Sequence, residues 1–226
     1  MSKGHSFFGF AILALMLIHW LVALFFVPVD VNQGEVYRII YIHVPGAMAA
    51  FFCAALLLVA SIRCLGSAGS AALPFAKAST EVGLIFTIIT LASGSIWGRP
   101  TWGVWWTWDA RLTTTLLLAI LFCGWLLLES GLPAGRTRAR SCGFLGIMIA
   151  ADVPIIYKSV TWWRTLHQPQ SILRPGGGTS TMDPEMLCTL VAGIFLSICL
   201  SIWLISVRKK NILLQDELDQ RSLMGV

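Results

Sequence analysis

Six stretches of this chain are apolar for long enough to cross a lipid bilayer, and nothing else in the sequence limits the possible folds so strongly. They cover residues 7–27, 44–62, 78–96, 112–128, 142–160 and 187–207, and a spanning helix needs roughly 17–25 mostly apolar residues. Within hydrocarbon a lone segment must satisfy its own backbone N–H and C=O groups, so each stretch is expected to be helical. The fold class that follows is all-α: a polytopic integral membrane protein with six transmembrane helices. Composition agrees, because 57% of the 226 residues are hydrophobic and 12% are charged, against roughly 25% charged in soluble domains. A soluble domain and a disordered chain are both excluded. The first stretch is too long for a removable signal peptide and lacks its small-residue cleavage site.

Chain breakers fall between or inside these stretches. Pro28 ends the first, Pro45-Gly46 opens the second, Gly131 to Gly135 separate the fourth from the fifth, and Pro154 is expected to kink the fifth. There is no internal repeat of the inverted-repeat transporter kind. Residues 1–210 form a single six-helix membrane domain in this reading, and 211–226 a C-terminal tail. With a cytoplasmic N-terminus, one side carries Lys3, Arg63, Lys77, Arg136, Arg138, Arg140, Arg208, Lys209, Lys210 and Arg221. The other carries Arg38, Arg99, Arg111, Lys158, Arg164 and Arg174. The excess on the first side favours both termini in the cytoplasm. Basic clusters flanking apolar spans report orientation, so the net charge of +5 gives no ground for nucleic-acid binding. Cysteines 53, 64, 123, 142, 188 and 199 form no CxxC or CxxCH motif and are expected to be packing residues.

Histidine, tryptophan, aspartate and proline collect in the three outer segments, 28–43, 97–111 and 161–185. Five of the ten tryptophans, Trp97, Trp102, Trp105, Trp106 and Trp108, lie within twelve residues. Pro100 suits the first turn of a short interfacial helix, which would align Trp102, Trp105, Trp106 and Asp109 on one face with Trp108 beside it. An aromatic belt at the headgroup level accounts for one or two indoles at a span end, as at Trp162 and Trp163. It does not account for five interleaved with glycines and closed by Asp109. Such a shelf suits a large flat apolar ligand, with Gly98 and Gly103 letting it approach the backbone.

His43 and His167 each fall in an outer segment beside a span, whereas His5 is terminal and His19 lies within the first span. Two imidazoles could grip one flat ligand from opposite sides, as in bis-histidine haem ligation; a structural zinc site would need four ligands. Arg38 and Arg111 are candidates for carboxylates on such a ligand, or else for interfacial anchoring and a local pair with Asp109. Arg99, Lys158, Arg164 and Arg174 are further candidates. Asp152, mid-span, is either a functional carboxylate or a neutral one hydrogen-bonded near Pro154.

The run Trp97-Gly98 through Trp102-Gly103, then Trp105, Trp108-Asp109 and Arg111-Leu112-Thr113, resembles the WWD signature of haem-handling proteins of cytochrome c maturation. Tyr41-Ile42-His43-Val44-Pro45, Val153-Pro154-Ile155 and Trp162 through His167-Gln168 resemble the two histidine motifs of the CcmC family within that group. The resemblance implies that His43 and His167 are axial ligands of a transiently and non-covalently bound haem b, with the WWD segment part of its surface. It implies a bacterial inner-membrane protein with its functional loops in the periplasm. Haem would pass to the periplasmic chaperone CcmE, with CcmD and the ABC-transporter-like CcmA and CcmB as partners. The chain has no Walker-type phosphate loop, so the implied role is a haem-handling subunit and not an enzyme, any ATP hydrolysis belonging to a partner. Two alternatives stay open: a quinone- or lipid-binding protein that docks its ligand on the tryptophans, and a haem lyase acting directly on apocytochrome, which the small size argues against.

Overall fold

Each apolar stretch is a helix in the computed structural model, which describes residues 3–167 and 182–224. The helices are α1 (Lys3–Phe25), α2 (Ile40–Leu65), α3 (Leu73–Trp102), α4 (Ala110–Gly131), α5 (Arg136–Trp162) and α6 (Pro184–Leu223), with no strand among the described residues. All six are long and apolar enough to span a membrane. Most outrun their apolar stretches, because helical hydrogen bonding continues into water where apolarity stops. The 40 residues of α6 extend about 60 Å, and the helix beyond Arg208 is mostly exposed. The first helix instead stops at Phe25, where Pro28 disfavours the α conformation for Val27. Pro45 does not open α2 as expected. It lies inside the helix, which begins at Ile40 after a 3-10 turn over Glu35–Ile39.

The helices α2, α3, α4 and α5 form a ring in which each packs on its two neighbours; α6 lies against α2 and α3, and α1 against α6. Lipid tails are as apolar as leucine, so close approach rather than water exclusion holds such helices together. Small residues supply it. A Cβ on Gly83 would lie 2.8 Å from the Phe122 ring, and one on Gly146 would lie 2.0 Å from Ser61 Oγ. Leu57, Leu118, Phe122, Trp125 and Ile149 fill the centre of the ring, and the Trp125 indole donates to the Cys142 carbonyl at 2.9 Å. All six cysteines are free thiols; Cys53, Cys64 and Cys142 are buried, while Cys123 and Cys188 face outward.

One end of the ring is tied by charge. Glu129 of α4 is buried and accepts from Lys77 of α3 at 2.8 Å and from Arg138 of α5 at 3.3 Å. The opposite end, where α2 and α4 begin and α3 and α5 finish, is open.

Candidate functional site

The chain leaves α3 through a left-handed turn at Gly103 (φ +80°), whose N–H bonds the Arg99 carbonyl at 3.1 Å. Pro100 therefore sits in the last turn of α3 and does not start a separate helix. Residues 103–109 are not helical, and α4 begins at Ala110 with Asp109 as its cap: Asp109 Oδ1 accepts from the Leu112 N–H at 2.9 Å. The expected interfacial tryptophan helix is thus replaced by a strap that folds back along α3. Ser95 holds it by donating to the Trp105 carbonyl at 2.8 Å. Gly98 gives the strap room, since a Cβ there would meet the Trp102 ring at 3.1 Å and the Val104 carbonyl at 3.2 Å. Gly98 and Gly103 serve the path of the chain.

The strap closes over a cavity lined by residues of α2, α3, α4 and α5 together with Trp106 and His167. Trp97, Trp102 and Trp106 face it, whereas Trp105 and Trp108 are exposed on the outside of the strap, Trp108 at 76%. Trp108 packs edge-on against Trp106, with ring centres 5.6 Å apart. The walls are nearly apolar, because the hydroxyls of Thr87, Thr90, Thr101 and Thr115 each donate to a backbone carbonyl of their own helix.

His43 and His167 face each other across this space, ring centres 6.3 Å apart and planes inclined by 33°. Two imidazoles that each bond one metal ion from opposite sides, at about 2 Å, have ring centres about 6 Å apart, so the spacing fits a single metal between them. Among the described residues no three His, Cys, Asp or Glu side chains cluster as a metal site. His43 Nδ1 lies 3.1 Å from Ser93 Oγ. The single Ser93 hydroxyl hydrogen is already donated to the Ile89 carbonyl at 2.7 Å, so Ser93 accepts and Nδ1 carries the proton. Nε2 is left with the lone pair that a metal needs. Trp97 stands edge-on to His43 at 5.7 Å and donates to Gln33 Oε1 at 2.8 Å. Asp30 in turn holds the Gln33 loop by accepting the Asn32 and Gln33 N–H groups. Trp102 borders His167, with ring centres 6.4 Å apart.

Arg111 lines the cavity from the first turn of α4, and its Nη1 is buried without a hydrogen-bond partner, as is Trp106 Nε1. A cation in a first turn opposes the helix dipole, so helix stability does not account for its position; the Asp109 carboxylate acts on it electrostatically. Arg38 is set apart from the cavity lining. Its guanidinium donates to Glu35 at 2.5 Å and to the Ala23 carbonyl at 2.6 Å. Arg99 donates to the Gly103 carbonyl, Lys158 and Arg164 are exposed, and Arg174 lies outside the described residues. Asp152 is buried in α5 with Oδ2 unbonded and does not line the cavity. Sequence reasoning missed Ser93, Gly94, Gln33 and Thr165, all of which gain their importance from neighbours distant along the chain.

Fold and site together define a multi-pass α-helical membrane protein with a two-histidine, tryptophan-walled cavity at one end of its bundle. The family model for Heme exporter protein C matches residues 2–224, and the chain belongs to that family, CcmC. It is 36% identical to Heme exporter protein C of Escherichia coli K12 over 207 residues, covering 92% of this chain and 82% of the relative. The protein of the same name from Haemophilus influenzae is also 36% identical, over 96% of this chain and 87% of its own. A cytochrome c biosynthesis ccmC-like mitochondrial protein of Marchantia polymorpha is 39% identical over 66% of this chain.

Proposed function

We propose that the chain binds haem in the cavity between His43 and His167 and delivers it to the chaperone CcmE during maturation of c-type cytochromes. The observation that carries this reading is the opposed histidine pair, 6.3 Å between ring centres, inside a cavity walled by Trp97, Trp102 and Trp106 with one half-buried cation, Arg111. The names of the relatives, Heme exporter protein C, support haem as the cargo. The haem is a transiently held, non-covalent haem b: two neutral imidazoles fix the iron, and Arg111 faces a propionate. Trp105 and Trp108, exposed on the strap, offer an aromatic surface to the chaperone, with Asp109 anchoring the strap to α4.

The protein works as a haem-handling subunit of the bacterial inner membrane, with CcmD, CcmA and CcmB as partners and ATP hydrolysis left to CcmA. Its site faces the periplasm. Both termini are cytoplasmic, 1–210 is the membrane domain, and 211–226 is the cytoplasmic tail. The test is the absorption spectrum of the purified protein with His43→Ala and His167→Ala. Each variant is expected to lose the low-spin bis-imidazole spectrum of the wild type. Retention of that spectrum in both variants overturns the ligand assignment, and a colourless wild-type protein would favour a quinone in the cavity.

A further inference from the structure

We propose that Thr165 is the positioning residue for His167: the Thr165 hydroxyl sets where that imidazole stands in the site. The inference rests on the haem-binding reading above. The two histidines are supported in different ways. His43 belongs to the regular part of α2, and its ring is held by Ser93 of the neighbouring helix. His167 follows the end of α5 at Trp162 by five residues, in a segment with no helix.

What fixes the backbone there is a relay of hydrogen bonds. The His167 N–H donates to Thr165 Oγ1 at 3.1 Å, and the Thr165 hydroxyl donates to Asp109 Oδ2 at 2.6 Å. The other oxygen of Asp109 caps α4. One carboxylate thus joins the first turn of α4, the end of the tryptophan strap and the loop that carries His167. Thr165 is the middle member, and only a side chain that both donates and accepts can fill that place.

His43 stands on a packed helix, whereas His167 stands on the loop after α5, where the Thr165 relay fixes its backbone. Losing the relay therefore loosens the His167 imidazole and leaves His43 in place.

The experiment compares Thr165→Val, which keeps the shape and removes the hydroxyl, with Thr165→Ser, which keeps the relay. Both are purified as the full chain and examined by absorption spectroscopy. Thr165→Val is expected to change the bound haem from six-coordinate low-spin to five-coordinate high-spin, and added imidazole to restore the low-spin spectrum. Thr165→Ser is expected to match the wild type. In haem-free protein, amide exchange of 163–167 is expected to rise about tenfold in Thr165→Val, the loss of a hydrogen bond of ordinary strength, with no change across 40–47. A wild-type spectrum and unchanged exchange in Thr165→Val overturn the inference while leaving the haem reading intact. A wild-type protein without bis-imidazole haem overturns the haem reading itself, and the exchange measurement still decides whether Thr165 positions the loop.

Discussion

Gly94 shows how a single side-chain position can set stability and function against each other. It lies in α3 beside His43, where an added Cβ would stand 2.9 Å from the imidazole Cε1 and 3.4 Å from Nδ1. Elsewhere in a helix alanine is favoured over glycine by about 1 kcal/mol. Here the methyl would displace the ring from its contact with Ser93, which fixes the tautomer. Disturbing the partner of a metal-ligating histidine commonly lowers affinity about 10- to 100-fold. Gly94→Ala is therefore expected to leave the thermal midpoint of the haem-free protein level or raised, while haem affinity in a spectrophotometric titration falls by about that factor. Wild-type affinity in this variant would mean that the imidazole does not need the space.

Helices and loops add constraints that no single position reveals. Pro45 has no N–H, so the helix of α2 cannot satisfy the Tyr41 carbonyl four residues earlier. His19, buried in α1, stands edge-on to Tyr41 with ring centres 6.5 Å apart, and its Nε2 has no hydrogen-bond partner. The first helix thus sets an imidazole against the second close to its gap. His19→Phe keeps an aromatic ring there and removes the unpaired nitrogen, so it is expected to leave the unfolding free energy in detergent level or raise it by about 1 kcal/mol. A loss of about 1 kcal/mol or more would show that the imidazole is hydrogen-bonded in the folded protein.

Elements of this kind also mark how far sequence reasoning reached. The six spans were legible because a bilayer demands about 20 apolar residues in a row. Their ends were not, because a helix continues past the lipid for as long as its hydrogen bonds do. The tryptophan segment borders the cavity in a shape other than the expected one: Pro100 looked like the start of a helix, while the stop one turn later, Gly103, and the fresh cap at Asp109 carried the actual signal. His43 and His167 were legible as a pair from residue type and from position beside spans. Thr165 was not, since its partner Asp109 is 56 residues away and a threonine in a loop announces nothing.

Across the whole molecule, the cavity with its histidine pair and the charged groups that tie the bundle together occupy opposite ends. The cavity opens where α4 begins. Glu129 joins α3, α4 and α5 near where α4 finishes, and Arg138 further closes the α4–α5 connection by donating to the Leu132 carbonyl at 2.7 Å. Arg111 and Glu129 stand 18 positions apart on one helix, or about 27 Å at 1.5 Å per residue. Between them lie the closely packed side chains of Leu118, Phe122 and Trp125. Replacing Glu129 by glutamine leaves the Lys77 and Arg138 cations beside one another with no counter-charge. Removing one member of a buried ion cluster costs on the order of 3 kcal/mol, so Glu129→Gln is expected to unfold that much more easily in detergent. Neither the charge nor the shape of the cavity depends on Glu129, and the spectrum of bound haem is expected to match the wild type at temperatures where the variant remains folded. A shifted haem spectrum in the folded variant would show that the charged end is coupled through the packed centre to the histidine pair, and that binding and stability are not separable in this bundle.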